Sequence, residues 1–332
     1  MSKATFAAIA AASAATGAGL TALFYSSSAP RPQPQQQQQV PPPSPVAAPS
    51  PTAIRPPAPP SLAPKPTAGG LSPVDPTGIY QYGFPGPVAD TLISAPLAGA
   101  YDRRTRNPSW VAEHITPQSL SMKNADRKNS TFFEDATIPP AFRAKLSDYF
   151  RSGYDRGHQV PAADCKWSQE AMDGTFALSN MCPQVGEGFN RDYWAHFEEF
   201  CRGLTKKYPS VRVVTGPLYL PHRDPDGKWR VSYEVIGNPP NVAVPTHFYK
   251  VIYAEEGPAA AGKVALGAFV LPNARIPNDK RLSEFEVPLE AVERASGLEF
   301  AAKLEAGRRK RLCQETKCEI VVREFNNASK RS

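Results

Sequence analysis

Cysteine is scarce in this chain of 332 residues, and the cysteine pattern argues against two classes of protein. No C-x-x-C pair occurs, and the cysteines and histidines lack the spacing that is typical of structural zinc ligands. Their odd number also argues against a disulfide framework, which a domain of this size does not need. A local disulfide between Cys313 and Cys318 remains open. The five cysteines are Cys165, Cys182, Cys201, Cys313 and Cys318.

Acidic residues are absent from the start of the chain, where the first one is Asp75. The stretch Ala4–Phe24 follows Lys3, carries no charge and is roughly 20 residues long, which is enough for a helix that crosses a bilayer. A secretory signal has a similar apolar core, whereas an ordinary mitochondrial presequence carries more arginine. We predict a mitochondrial leader or inner-membrane anchor over residues 1–28, with a secretory signal as the alternative.

Apolar side chains are also sparse in residues 29–77, which hold nearly half of the 37 prolines and the glutamine run Gln35–Gln39. Such a segment cannot offset the entropy of ordering its backbone, and clustered prolines favour extended polyproline II. We therefore predict a disordered tether over residues 29–77. Residues 78–332 are long enough for one substantial core and show no internal repeat, so we predict a single domain there.

The net charge of the whole chain is +7, and residues before Gly78 contribute +3 of it, which leaves +4 for the predicted domain. A mild positive excess fits a polyanionic partner such as nucleic acid. Many basic proteins bind no nucleic acid, so the charge alone does not identify the partner.

The clearest helical pattern is "FNRDYWAHFEEFCRGLTKKY", over residues 189–208. Trp194, Phe197, Cys201 and Leu204 recur at steps of three and four residues and form one apolar stripe. On such a helix Asn190 and Glu198 would project from one face, about two turns apart.

Strand patterns dominate the rest of the predicted domain. Residues 110–115 alternate in the manner of a strand, and "VPLEAVERASGLEF" has a helical period. Four β-branched and aromatic runs are bounded by Gly, Pro, Asp or Asn, which favours an antiparallel sheet over β-α-β crossovers. The predicted fold class is therefore α+β, a mostly antiparallel sheet with packed helices. The four runs are "VRVVTGPLYL", "WRVSYEVIG", "THFYKVIYA" and "KVALGAFVLP".

The segment "SGYDRGHQVPAADCKWS" places Asp155, Arg156 and His158 within four residues. Hydrolysis of a phosphodiester needs a base to deprotonate water and cations to stabilise charge on the phosphoryl oxygens. An imidazole with a pKa of about 6.5 suits the base, and arginines fork onto phosphate oxygens. We therefore interpret His158 as a candidate base, and Arg156 and the earlier Arg106 as candidate phosphate ligands.

Two further residues complete this set of candidates. Asn190 offers a neutral oxygen ligand for a hard cation such as Mg²⁺, which keeps most of its water shell. Glu198 could then accept hydrogen bonds from the metal-bound waters.

Each candidate also has an ordinary structural interpretation when it is taken alone. His158 fits a hydrogen-bonded structural histidine, Asn190 a helix N-cap, and Glu198 a solvated carboxylate. Arg106 fits a basic loop. Only the combination of these residues favours phosphoryl transfer.

Ordered motifs across nearly the whole predicted domain resemble the DNA/RNA non-specific endonucleases of the ββα-metal (His-Me finger) superfamily, and within them the mitochondrial endonuclease G group. These motifs are "GAYDRRTRNPSWVAEHIT", "DRGHQVPAAD", "ALSNMCPQ", "FNRDYWAHFEEF", "VVTGPLYLP", "VPTHFYKV", "AFVLPN" and "ASGLEF".

The resemblance implies a role for each matching residue. His158 is the general base and Asn190 the direct Mg²⁺ ligand, with Mn²⁺ as a substitute. Arg106 and Arg156 contact phosphate, and Glu198 holds metal-bound water. Asp155 orients the motif, and Asn180 supports the site at the substrate. The family's core has two strands and a helix, with the base near a strand end and Asn190 in the helix.

The resemblance also implies a magnesium-dependent enzyme that cuts DNA, single- or double-stranded, and RNA with little sequence preference and leaves 5′-phosphate and 3′-hydroxyl ends. It implies a homodimer in the mitochondrial intermembrane space, or at the inner membrane if residues 1–28 are retained as an anchor. The proline- and glutamine-rich tether is longer than the family leads us to expect. A secreted nuclease with the same site is one alternative, and a membrane-tethered nucleic-acid binder without turnover is another.

Overall fold

The computed structural model describes residues 89–257 and 262–321, so the predicted leader, the predicted tether and the first residues of the predicted domain lie outside it. Within these two ranges, no helix is both long enough and apolar enough to cross a membrane.

Eight strands of the described chain form one large sheet. They are β1 (Asp90–Ile93), β2 (Ala98–Asp102), β3 (Asn107–Ile115), β6 (Ser210–Leu218), β11 (His247–Glu255), β12 (Val264–Pro272), β13 (Glu286–Val287) and β14 (Arg309–Arg311). Their order is β1-β2-β3-β6-β11-β12-β13, and β14 also pairs with β12. All pairings are antiparallel except that of β14 with β12. The predicted fold class is confirmed.

Helices cover both faces of this sheet. The α-helices are α1 (Pro117–Ser121), α2 (Leu146–Tyr149), α3 (Gln169–Gly174), α4 (Tyr193–Gly203), α5 (Leu289–Ser296) and α6 (Leu312–Glu315). Alternation along β11 explains the two covered faces, because successive side chains of a strand point to opposite sides. Phe248 and Ile252 pack in one core cluster with α4, whereas Tyr249 and Val251 pack in another with α5. The core is therefore split into two layers by the sheet.

The apolar stripe predicted for the long helix is confirmed on α4, where Trp194, Phe197 and Cys201 are at most 2% exposed. The helix itself is shorter than its pattern predicts. It begins at Tyr193, because Gly186–Asn190 forms an irregular turn in which Gly188 has a φ of 80°. A Cβ at Gly188 would lie 2.2 Å from Cγ of Arg275, so this turn accepts only glycine without rearrangement.

The prediction that the run "WRVSYEVIG" forms a strand of the large sheet is wrong. The run supplies only β8 (Trp229–Arg230) and β9 (Val235–Ile236), which pair with β7 (His222–Arg223) and β10 (Val242–Ala243) in two small ribbons. Its alternating apolar side chains are 43–49% exposed at Trp229, Val231, Tyr233 and Val235. The alternation was real, but on this part of the chain those side chains face solvent.

A third ribbon lies apart from the large sheet and pairs β4 (Tyr154–His158) with β5 (Met181–Val185) in antiparallel fashion. The side chain of Asn273, just after β12, attaches this ribbon to the sheet. Its Oδ1 accepts the backbone N–H of Val185 at 2.9 Å, and its Nδ2 donates to the backbone oxygens of Pro183 at 3.1 Å and Pro245 at 2.9 Å. Together with α4, the ribbon forms a unit of two strands and a helix.

Candidate active site

His158 is the last residue of β4, opposite Met181 of β5. Its side chain is buried, and within the described residues its Nε2 has no hydrogen-bond partner. The ring packs edge-on against Phe176, with 4.9 Å between ring centres, and lies 5.6 Å from the ring of Phe132. The two aromatic rings restrict the plane of the imidazole, and Nε2 is left with no partner among the described residues.

Burial lowers the pKa of His158 to about 3, and the positive charge of Arg127 lowers it in the same direction. The imidazole is therefore neutral near pH 7, which is the form that accepts a proton. Arg127 itself is exposed and lies with its guanidinium carbon 5.4 Å from the centre of the Phe176 ring. It was not among the predicted residues.

Gly157, between Arg156 and His158, is required because there is no room for a side chain at this position. A Cβ at Gly157 would lie 2.1 Å from Oε1 of Gln184 on β5, a position that no real Cβ atom takes. Both amide atoms of Gln184 are buried without a partner among the described residues. The pairing of β4 with β5 therefore requires glycine at this point and places Gln184 beneath the D-R-G-H segment.

Asp155 binds the amide of Asn190. Its Oδ2 accepts from Nδ2 of Asn190 at 2.9 Å, and its two oxygens accept from Nε and Nη2 of Arg191 at 2.7 Å and 2.5 Å. Because a carboxylate only accepts, this contact turns the nitrogen of the Asn190 amide toward Asp155 and leaves the oxygen, Oδ1, for another group. A free amide oxygen is a ligand that suits a hard cation.

Asn190 does not lie on the helix that carries Glu198, contrary to the prediction. It ends the turn Gly186–Asn190, and Asp192, which precedes α4, has a non-helical backbone with a φ of −129° and a ψ of −97°. The prediction that Asn190 and Glu198 share one helix face is therefore wrong. The ordinary interpretation of Asn190 as the N-cap is wrong as well, since Asp192 occupies that position.

Arg156 and His158 lie on the same face of β4, because they are two residues apart on a strand. The guanidinium carbon of Arg156 lies 4.3 Å from the centre of the Phe132 ring, so Phe132 contacts both residues. Arg106 lies elsewhere, in the turn before β3, with a φ of 56°. It donates to the backbone oxygen of Arg104 at 2.9 Å, and in the described chain no hydrogen bond joins it to the other candidates.

Asn180 is 1% exposed, and its amide is used within the fold. Its Nδ2 donates to the backbone oxygens of Val160 at 3.0 Å and Thr175 at 2.8 Å, and its Oδ1 accepts the N–H of Val160 at 3.0 Å. These contacts hold the chain just after His158. The predicted contact of Asn180 with substrate stays a prediction.

Glu198 lies in α4 beside a group of buried charges that sequence patterns did not reveal. Burial raises the pKa of Glu198 to about 7, and Asp164 adds to the rise, whereas Lys250, Arg202 and Arg127 oppose it. The positive charge of Arg127 thus lowers the pKa of both Glu198 and His158. Arg202, one turn after Glu198, donates from Nη1 to Oδ1 of Asp164 at 2.8 Å.

Asp164 is paired in turn with Glu113, the remaining carboxyl of this group. Glu113 is 7% exposed, and burial and the negative charge of Asp164 raise its pKa well above its usual range. Both effects favour the protonated, neutral form of Glu113. The only sequence signal for Asp164 was its place in "DRGHQVPAAD", while Glu113 lies 51 residues earlier in the chain, on β3.

Three cysteines, Cys165, Cys182 and Cys201, are free and buried, and burial raises their pKa values above the usual range of a thiol. Cys313 and Cys318 form a disulfide, the pairing that the sequence left open.

The ribbon β4–β5 with α4 and the groups around His158 define a class of protein: one with a two-strand-and-helix site that presents an unpartnered histidine, an oriented asparagine and arginines. The family model for DNA/RNA non-specific endonucleases matches residues 75–307. The chain belongs to this family.

Similar proteins and a solved structure support this family assignment. The chain is 63% identical to the mitochondrial nuclease of Saccharomyces cerevisiae over 259 residues, which cover 77% of this chain and 79% of that protein. It is 57% identical over 249 residues to nuclease 1, mitochondrial, of Schizosaccharomyces pombe, covering 75% and 77%. This chain also matches a chain in the crystal structure of the EndoG/EndoGI complex, with a TM-score of 0.64 and 46% sequence identity. The match covers 73% of this chain and 99% of that chain.

The protein is therefore a mitochondrial nuclease, and the predicted mitochondrial location is confirmed. Its compartment within the organelle stays a prediction.

Proposed function

We propose that this nuclease hydrolyses phosphodiester bonds of DNA and RNA in a Mg²⁺-dependent reaction that leaves 5′-phosphate and 3′-hydroxyl ends. His158 is the general base, and Asn190 is the protein ligand of the metal. The observation that carries the proposal is the contact between Asp155 and Asn190, which leaves the amide oxygen of Asn190 available. Asp155 lies on the strand that ends at His158, whose Nε2 has no hydrogen-bond partner among the described residues.

His158 takes a proton from the water that attacks phosphorus. The ring is neutral, and Phe132 and Phe176 hold it in one plane, so the lone pair of Nε2 has a fixed direction. A substrate phosphate beside the ring brings negative charge, which raises the pKa of the imidazole from its low value toward the range where a base works best.

Arginines bind the phosphate. Arg156 contacts the ring of Phe132, and the exposed Arg127 contacts the ring of Phe176, the two rings that pack against the base. Arg106 donates to the backbone oxygens of Arg104 and Ala141, and in this proposal it contacts a phosphate that neighbours the one being cut. Contacts to phosphate carry no information about the base, which explains cleavage with little sequence preference.

Asn190 fits Mg²⁺ because Asp155 occupies its amide nitrogen and leaves the oxygen, a ligand type that Mg²⁺ prefers and that Mn²⁺ also accepts. When bound, the metal stabilises negative charge on the phosphoryl oxygen and on the leaving 3′-oxygen. In this proposal Glu198 accepts hydrogen bonds from the metal-bound water.

The test is digestion of supercoiled plasmid and single-stranded RNA by the purified chain, with Mg²⁺ or with a chelator. We expect metal-dependent cutting of both substrates, reduced at least about 100-fold by His158→Ala and by Asn190→Ala. His222→Ala, which removes an exposed histidine of β7, serves as the matched control and should cut normally. Equal cutting by His158→Ala would overturn the assignment of the base. Binding without cutting by the unmodified chain would favour the tethered binder.

We also propose a homodimer that forms through the exposed stripe Trp229, Val231, Tyr233 and Val235. Exposed apolar side chains at alternate positions offer a surface that a second copy of the chain can cover. Val231→Asp should convert the dimer to a monomer in light scattering, and Ile93→Asp, at an equally apolar and 82% exposed position on β1, should not. A monomeric mass for the unmodified chain would remove the proposal.

We also propose that residues 1–28 anchor the chain to the inner membrane, so that the nuclease domain faces the intermembrane space. This rests on the sequence, since the segment lies outside the described residues. Alkaline carbonate extraction of mitochondria tests it, because an anchored chain stays in the pellet and a processed one is released.

A further inference from the structure

An open depression of about 670 Å³ lies beside the proposed site. Its apolar part is formed by Phe132, Leu146 and Phe150, and its charged part by Arg156, while serine and threonine side chains complete the lining. Neither the reaction of His158 nor the contact of Asp155 with Asn190 uses Leu146 or Phe150.

Phe150 is unusual because a phenylalanine side chain that is 73% exposed gains little from the fold. Leu146, four residues earlier, is 38% exposed in the same depression. Arg151 follows, and its guanidinium carbon lies 5.1 Å from the centre of the Phe150 ring. The aromatic surface is thus flanked by a cation and left open to solvent.

The depression is continuous with the site through Phe132. The centre of the Phe132 ring lies 4.3 Å from the guanidinium carbon of Arg156 and 5.6 Å from the centre of the His158 ring. A strand whose phosphate is bound at Arg156 and His158 therefore places a neighbouring nucleotide over Leu146 and Phe150. Arg156 in the lining and Arg151 beside Phe150 supply positive charge for the phosphates of such a strand.

We propose that this depression binds one unpaired nucleobase of the strand being cut, flat against Phe150. The inference rests on the proposed function and specifies its substrate. In a duplex both faces of a base are covered by its neighbours, so only an unpaired base can offer its face to an aromatic side chain. The depression therefore makes the enzyme favour single-stranded over duplex nucleic acid.

The first experiment compares kcat/KM of the full chain for a single-stranded DNA oligonucleotide and for the same oligonucleotide in a duplex. Stacking of one base on an aromatic ring predicts that Phe150→Ala lowers kcat/KM on the single strand about tenfold and on the duplex less than about twofold. Phe150→Tyr keeps an aromatic face and should retain single-strand cutting. Ile93→Ala, which truncates an exposed apolar residue of β1, should change neither value.

The second experiment separates base stacking from a general effect on the fold. In the His158→Ala background, Phe150→Ala should weaken binding of an oligothymidylate about tenfold but leave binding of a base-free deoxyribose phosphate polymer of the same length unchanged. The thermal midpoint should also stay unchanged, because Phe150 is largely exposed.

Three results would overturn the inference. Equal losses on single strand and duplex would mean that Phe150 does not discriminate by base stacking, and unchanged cutting of both would mean that it contacts neither. A change in native mass on Phe150→Ala would assign the depression to a second copy of the chain. If the unmodified chain cut neither substrate, the proposed function itself would fail, which is distinct from all three.

Discussion

The carboxylate of Asp155 and the amide of Asn190 are joined by a hydrogen bond of 2.9 Å, between residues 35 positions apart in the chain. The bond connects the first half of the ribbon to the turn that precedes α4. It decides which atom of Asn190 is left to bind a cation, although Asp155 need not touch the cation itself.

Removal of this bond should weaken the metal site. Asp155→Ala frees the Asn190 amide to rotate, and the loss of such a supporting partner typically costs 10–100-fold in metal affinity or activity. We expect the Mg²⁺ concentration for half-maximal activity to rise at least about tenfold. Arg191→Ala is the matched control, since it removes the other partner of Asp155 and leaves the bond to Asn190 in place. If the Mg²⁺ dependence of Asp155→Ala equals that of the unmodified chain, Asp155 has no part in orienting Asn190.

Acid should destabilise the protein through His158. Its pKa falls from 6.5 to about 3 on folding, so between these values the unfolded chain binds a proton that the folded chain does not. The stability linked to this group is complete above pH 6.5 and declines as the pH falls, by about 2 kcal/mol at pH 5. Urea unfolding at pH 8 and at pH 5 measures the free energy of unfolding at each pH. In His158→Gln, the difference between these two free energies should be smaller by that amount. An unchanged difference would contradict the buried, neutral state of His158.

Activity should depend on pH through Glu198. Its pKa rises from 4.5 to about 7 on folding, so the carboxylate that accepts hydrogen bonds from water is fully formed only above about pH 7. We expect kcat/KM to increase between pH 6 and pH 8 and this increase to disappear in Glu198→Gln. Glu199→Gln, at the next position of the helix, is the control and should keep the profile of the unmodified chain. A profile that Glu198→Gln leaves intact would assign the ionisation to another group.

The two carboxyls of the buried pair should respond differently to neutral substitution. Burial and the charge of Asp164 favour the neutral form of Glu113, so Glu113→Gln should cost less than about 1 kcal/mol of the free energy of unfolding. Asp164 is the partner of Arg202, and Asp164→Asn leaves that guanidinium without its counter-charge, which should cost about 3 kcal/mol. Denaturant unfolding at pH 7 compares the two. Equal costs would mean that the proton is not held on Glu113.

Local patterns predicted the parts of the fold that a pattern can specify. The stripe of Trp194 and Phe197 identified the face of α4, because helical periodicity reports burial on one side. The same logic failed for Val231 and Tyr233, since alternation does not tell whether a neighbouring strand exists to cover the residues. The start of α4 was also misplaced, because Phe189 and Asn190 belong to the irregular turn and Asp192, just before α4, has a non-helical backbone.

Much of the candidate site was accessible from sequence because D-R-G-H is local. His158 and Arg156 are two residues apart on one strand, so a short motif contains both. Asp164 and Glu113 were missed because their meeting depends on the placement of β3 beside the segment after β4. Arg127 was missed for the same reason, since its effect on both His158 and Glu198 arises only in the folded chain.

Among the described residues, no ladder of backbone hydrogen bonds joins the ribbon β4–β5 to the large sheet. The two are held together by the amide of Asn273 and by the packing of Cys182 in the core. In native-state hydrogen exchange, the ribbon can therefore open as a unit of its own, at a lower free energy than the central strands β6 and β11. The site would then be lost before the body of the protein unfolds, and heat or denaturant would abolish turnover while the sheet is still protected.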